Sequence, residues 1–135
     1  MMRLLMLPVL AFAGQAVMEP ALAASRAPVT RDVEGYAVAT CLARQLDPAL
    51  KAQGEGWASA IVQRGRGDVT LLRPVQHAVE AQVARGDMPV VRQDGPAASD
   101  LTLSIMFCGE IVDRPAVRAA ITRAAVRLGP AYRRR

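Results

Sequence analysis

Apolar residues recur at intervals of three and four along most of the chain, which is the spacing of an amphipathic α-helix. The first such stretch runs from about Arg31 to Leu46 and is followed by Asp47 and Pro48. Its inward-facing stripe is predicted to consist of Val33, Tyr36, Ala37, Thr40, Cys41 and Leu46. We therefore predict one long helix near the N-terminus that carries Cys41 on its apolar face.

A second helix is predicted to begin at Asp47 and Pro48. Aspartate can accept hydrogen bonds from the first free amides, and proline at the first helical position has no amide to leave unpaired. This helix runs to about Arg64, and its predicted inward face is Leu50, Trp57 and Ile61. Gly54 and Gly56 each lower its intrinsic stability by roughly 1 kcal/mol relative to alanine. Their presence predicts a kink or the close approach of a neighbouring helix.

The third predicted helix is the most regular, and it is capped by Asp68 and closed by Gly86. Its apolar stripe is Leu72, Val75, Val79 and Val83. The segment from Gly86 to Ala98 has no helical period and contains Pro89 and Pro96, so it is predicted to be a loop. Residues 88–91 suit an extended conformation, but no strand is predicted that would pair with them.

A fourth helix is predicted to begin at Ser99 and Asp100, and a fifth to begin at Pro115 and to end at Gly129 and Pro130. The inward face of the fourth is predicted to be Leu101, Ile105, Cys108 and Val112. That of the fifth is predicted to be Val117, Ile121, Ala124 and Leu128. Five helices and no convincing strand predict an all-α, single-domain bundle.

The first 23 residues have the pattern of an export signal. A positive start that includes Arg3 precedes an apolar run from Leu4 to Val17, then Pro20 and the small-x-small cleavage site Ala21-Leu22-Ala23. The apolar run is shorter than the roughly 20 residues of a spanning helix. We therefore expect cleavage after Ala23, a periplasmic protein of residues 24–135 and no stable membrane insertion. A retained N-terminal anchor is the alternative.

Charge is distributed unevenly along this chain, whose formal net charge is +5. Residues 32–113 carry seven basic and eleven acidic side chains, whereas residues 114–135 carry seven arginines and no acid. An acidic body with 4% aromatic residues disfavours nucleic-acid binding. The tail from about residue 130 to 135 is predicted to be solvated, with contact to anionic lipid or cell wall as the alternative.

The two cysteines, Cys41 and Cys108, lie on the apolar stripes of separate predicted helices. Two cysteines in an exported protein favour one disulfide, and two buried free thiols are the alternative. His77 is the only histidine, and no second ligand stands at metal-binding spacing, so neither a metal site nor a cofactor is predicted. No catalytic motif is present, and Trp57 is predicted to be a core residue, with an interaction hot spot as the alternative. The chain is therefore predicted to act by binding and not as an enzyme.

Three segments carry a resemblance to a known family: Tyr36 to Ala43, Gly56 to Ala60 with the following Gly65, and Leu103 to Cys108. Together they resemble the immunity proteins of the fourth family of type VI secretion amidase effectors, over most of residues 33–121. Phe107 stands where that family carries a basic residue. The resemblance thus indicates a divergent member with its own toxin.

The resemblance implies a periplasmic, all-helical homodimer that protects a bacterium by blocking the catalytic cleft of a papain-like peptidoglycan amidase. Such a protein needs a projecting loop on a rigid scaffold, and the loop from Gly86 to Ala98 is predicted to provide it. Its polar rim is predicted to be Asp87, Arg92 and Asp94, and its apolar centre Met88, Val90 and Val91. The alternative is that this loop is only a connector.

A second functional class also fits the sequence. A small periplasmic ligand-binding or envelope-stress bundle would share the export signal, the disulfide and the helices without having a toxin as partner. The neighbouring gene discriminates between the two, because a small cysteine-histidine amidase encoded there favours immunity.

Overall fold

The computed structural model describes residues 26–95 and 99–134, so the predicted export signal lies outside the described residues. The described chain folds into five α-helices and one small antiparallel hairpin. The helices are α1 (Pro28–Ala43), α2 (Pro48–Arg64), α3 (Arg73–Ala84), α4 (Ser104–Glu110) and α5 (Pro115–Arg133). Short 3₁₀ turns lie at Val69–Leu72 and Ile111–Asp113. The predicted all-α bundle is confirmed, and none of these helices is long and apolar enough to cross a membrane.

Helix α1 lies at the centre of the bundle and contacts each of the other four helices. Its buried side chains Val33, Ala37 and Cys41 are spaced by four residues and so share one face. The helix ends at Ala43, about one turn earlier than predicted. The prediction that Leu46 faces inward was wrong, because Leu46 lies in the turn after the helix and is fully exposed.

The core is one cluster of apolar side chains from α1, α3, α4, α5 and the two 3₁₀ turns. Its buried members are Val33, Ala37, Cys41, Leu72, Val75, Val79, Phe107, Cys108, Ile111, Val117, Ala120, Ile121, Ala124 and Leu128. The predicted stripe of the fifth helix is therefore confirmed in full. In the third helix Val75 and Val79 are buried as predicted, while Asp68 caps the 3₁₀ turn that precedes the α-helix.

Helix α2 begins as predicted. The Oδ1 atom of Asp47 accepts hydrogen bonds from the amides of Ala49 and Leu50 at 2.8 and 2.9 Å. Pro48 occupies the first helical position, and the helix ends at Arg64. The local signals at the start of α2 therefore determine where it begins.

The two glycines of α2 have different surroundings. A Cβ atom built on Gly54 would lie 2.3 Å from the backbone nitrogen of Ala43, so α1 and α2 cross at closest approach here. Gly56 has open space around it. The prediction that Trp57 is a core residue was wrong, because 41% of it is exposed at the edge of the α1–α2 contact. Ile61 is the predicted inward residue of α2 that is buried.

Helix α5 runs through Pro130 and continues to Arg133, so the prediction that it ends at Gly129 and Pro130 was wrong. Proline inside a helix removes one backbone hydrogen bond. A tertiary contact holds the last turn in place instead: the hydroxyl of Tyr132 donates to Oδ2 of Asp32 at 2.9 Å. The last turn of α5 is thus tied back to α1.

Two acidic residues of α1, Asp32 and Glu34, are buried, and arginines neutralise both of them. Arg64 lies 2.7 Å from Asp32, and Arg26 and Arg118 each lie 2.5 Å from Glu34. Burial acts to raise the pKa of Glu34, but the hydrogen bonds from Arg118 and Arg26 outweigh it and hold that pKa below its ordinary value. These ion pairs join α1 to α2 and α5.

Candidate binding surface

The segment between α3 and α4 is a short β-hairpin. Strand β1 (Val90–Val91) pairs antiparallel with strand β2 (Leu101–Thr102), and the amide of Leu103 donates to the carbonyl of Pro89 at 2.8 Å. Gly86 turns the chain out of α3 with a φ of 74°. The prediction that residues 88–91 find no strand to pair with was wrong, because residues 101–102 belong to β2 and not to the fourth helix.

The predicted polar rim residues Asp87, Arg92 and Asp94 are all exposed. Asp87 lies 3.5 Å from Arg85, and Arg92 lies 3.9 Å from Asp100. Exposed ion pairs of this kind contribute less than about 1 kcal/mol, so they hold their side chains only loosely. The charged groups of the hairpin therefore remain available to a binding partner.

The three predicted apolar residues divide into two roles. Val90 and Val91 are 54% and 46% exposed on β1. Met88 is half-buried and packs against the core, and the hydroxyl of Ser104 lies 3.8 Å from its sulfur. Met88 therefore fixes the base of the hairpin, while the two valines present an apolar surface to solvent.

An apolar groove lies beside the base of the hairpin, between the α1–α2 turn and the start of α4. It is open to solvent and has a volume of about 900 Å³. Its main apolar lining residues are Leu46, Leu50, Met88, Leu101, Ile105 and Met106. Leu46 is fully exposed, Ile105 is 69% exposed and Leu101 is 49% exposed. Contiguous apolar exposure of this kind typically marks an interaction site.

Three of the groove residues that were predicted to face the core are exposed instead. Leu101 and Ile105 were assigned to the inward face of the fourth helix, but Leu101 lies in β2 and Ile105 points outward from α4. Phe107 and Cys108 are the buried residues of that helix. The exposure of Leu46, the third residue, could have been predicted from the start signal at Asp47 and Pro48. A helix that begins there leaves Leu46 in the connecting turn.

The disulfide lies directly behind this groove. Cys41 and Cys108 are bonded, with a Cα separation of 5.4 Å, as predicted. The side chain of Gln45 lines the groove, donates to the carbonyl of Cys41 at 2.9 Å and lies 3.5 Å from the sulfur of Cys108. The bond therefore joins the end of α1 to α4. The turn that follows α1 lines one part of the groove, and the start of α4 lines another.

In residues 26–95 and 99–134, no group of three or more His, Cys, Asp or Glu side chains lies close enough together to hold a metal ion. His77 is exposed on α3, and both cysteines are in the disulfide. The hairpin and the groove remain the candidate binding surface.

Comparisons with protein-family models, with curated proteins and with solved structures found no match to this chain.

Proposed function

We propose that this chain is a periplasmic immunity protein that binds a type VI secreted peptidoglycan amidase and blocks its active-site cleft. The observation that carries the proposal is the hairpin with exposed Val90 and Val91, standing beside an open apolar groove. The class of partner comes from the resemblance of the three helical segments described above.

The hairpin and the groove have the composition of an interface. Apolar Val90 and Val91 are flanked by charged Asp87, Arg92 and Asp94, which matches the apolar centre and polar rim of typical protein interfaces. A blocking element loses less conformational entropy on binding when it is already ordered. Strand pairing with β2 and the disulfide behind the groove both provide such order.

The resemblance also supports the proposal that the protein is a homodimer. Light scattering on the purified protein measures its mass directly. The second functional class, a small-ligand bundle, is supported by the volume of the groove, which falls within the range of small-molecule sites. Mass spectrometry of the protein as purified from the periplasm detects such a ligand.

The direct test uses the product of the neighbouring gene. We expect this product to co-purify with the protein and to lose its ability to release peptides from purified peptidoglycan when the protein is added. Val90→Asp combined with Val91→Asp places two charges on the exposed face of β1. Ile105→Asp places one in the groove. Each variant is expected to weaken inhibition at least roughly tenfold, because buried apolar anchors dominate most interfaces.

Val69→Asp is the matched control. Val69 is 48% exposed, close to the values for Val90 and Val91, and it lies in the 3₁₀ turn before α3. It is expected to inhibit as the wild type does. An amidase that is undisturbed by the wild-type protein refutes the function, whereas hairpin and groove variants that inhibit fully refute the surface alone.

A further inference from the structure

The outward face of α5 is basic over its C-terminal half, where Arg123, Arg127 and Arg133 are exposed. The helix has 19 residues and is therefore about 28 Å long. From Arg114 to the end of the chain there is no acidic residue. The exposed residues of this face include Ala116, Ala119, Arg123, Val126, Arg127 and Arg133. This surface, called the α5 face below, lies opposite the helix stripe that packs into the core.

The arginines of the α5 face differ from the other arginines of the same helix region. Arg118 is held by Glu34 and Asp113, and Arg114 lies over the ring of Phe107 at 5.6 Å from its centroid. The ion pairs within the described residues include neither Arg123 nor Arg127. Neither arginine is thus held in an ion pair within the described residues, and the charge of Arg127 acts on the fold only as a minor contribution to the lowered pKa of Asp68.

Beside these arginines the face carries small and apolar residues. Val126 is 72% exposed, and Ala116 and Ala119 are exposed on the same side of the helix. An open apolar depression of about 310 Å³ adjoins it, where Leu71 and Pro74 lie next to α5. Arginine side chains can therefore reach past an apolar strip toward an anionic surface, while the helix backbone lies close to that surface.

We propose that the α5 face docks the protein reversibly on an anionic phospholipid surface. The charge of the face is complementary to that of the phosphate groups, and three exposed arginines on one helix face can contact several lipid headgroups at once. A second copy of the chain is a poor occupant, because it would place arginines opposite arginines. This docking is peripheral and uses none of the hairpin or groove residues, so it is independent of the proposed function.

The test measures co-sedimentation of the full chain with vesicles. One set contains equal parts of phosphatidylglycerol and phosphatidylcholine, and the other contains phosphatidylcholine alone. One arginine near an anionic surface contributes about fivefold to binding, so Arg123→Gln with Arg127→Gln is expected to weaken binding to the anionic vesicles roughly 25-fold. Glutamine is a good helix former, so the fold should be kept, and circular dichroism checks this.

Arg31→Gln with Lys51→Gln is the matched control, because it removes the same charge from exposed positions on α1 and α2 that are also in no ion pair within the described residues. It is expected to bind anionic vesicles as the wild type does. Any contribution of the N-terminal apolar run is the same in all three proteins. Equal binding of the wild type to both vesicle types overturns the proposal, and so does equal loss in the two double variants. Binding to soluble polyglutamate without binding to anionic vesicles also overturns it, in favour of an acidic protein partner.

Discussion

Two glycines in one helix predict opposite effects of the same substitution. Gly54 and Gly56 both lie inside α2 and are two residues apart. A Cβ atom on Gly54 would lie 2.3 Å from the nitrogen of Ala43 and 2.6 Å from the carbonyl oxygen of Ala39, whereas a Cβ atom on Gly56 meets no atom within 4 Å. Gly56→Ala is therefore the internal control for Gly54→Ala.

The magnitudes follow from two effects. Alanine is favoured over glycine in a helix interior by about 1 kcal/mol, and this gain applies at both positions. At Gly54 the obstructing atoms belong to the backbone of α1, which cannot rotate away, so the two helices have to separate. Overpacking of this kind typically destabilises a protein by about 1–3 kcal/mol. Because the clash at Gly54 is with backbone atoms, the cost of the substitution there lies at or beyond the upper end of that range. We expect Gly54→Ala to lose about 2 kcal/mol or more and Gly56→Ala to gain up to about 1 kcal/mol.

Urea denaturation followed by circular dichroism measures both values. In a domain of this size, 1 kcal/mol shifts the melting temperature by about 4–8 °C, so the two variants should melt at clearly different temperatures. The displaced end of α1 leads into Gln45 and Leu46, so Gly54→Ala should also disturb the groove. If Gly54→Ala is as stable as Gly56→Ala, the close crossing of α1 and α2 is wrong.

Two further predictions concern the disulfide and the buried acid. Cys41→Ala with Cys108→Ala removes a crosslink between residues 67 positions apart in the sequence. The chain-entropy treatment predicts that this lowers the free energy of unfolding by about 4 kcal/mol. Urea denaturation measures the loss, and a value below about 1 kcal/mol contradicts the prediction. Because the folded-state pKa of Glu34 is lowered, its stabilising contribution is complete above the ordinary value of 4.5 and is lost as the pH falls through the folded-state pKa. Glu34→Gln should therefore lower the free energy of unfolding near neutral pH, and the difference in this free energy between the variant and the wild type should shrink in acid. If that difference is the same at about pH 7 and pH 3, the ion pairs of Glu34 are contradicted.

Local chemistry explains which parts of the fold could be predicted. The Asp47-Pro48 start and the turn at Gly86 depend on hydrogen bonding and backbone freedom within a few residues, and both lie where they were predicted. The hairpin and the last turn of α5 depend on contacts between distant residues. Two-residue strands have no period of their own, and Tyr132 meets a partner 100 residues away. Such contacts override the local signal for a loop or a helix end.

The groove shows why helical spacing alone assigns residues of a candidate binding surface to the core. At 100° per residue, Phe107 and Ile111 lie to one side of Cys108 on the helix, and Ile105 lies to the other side. Both sides satisfy the three-to-four spacing, so the sequence contains two candidate apolar stripes that share Cys108. The disulfide to α1 fixes Cys108 inward without choosing between them. The short α4 packs on α1 and the following 3₁₀ turn, which buries Phe107 and leaves Ile105 69% exposed. The stripe that contains Ile105 therefore leaves apolar surface that the core does not enclose. This exposed apolar surface is the physical reason to expect a partner at the groove.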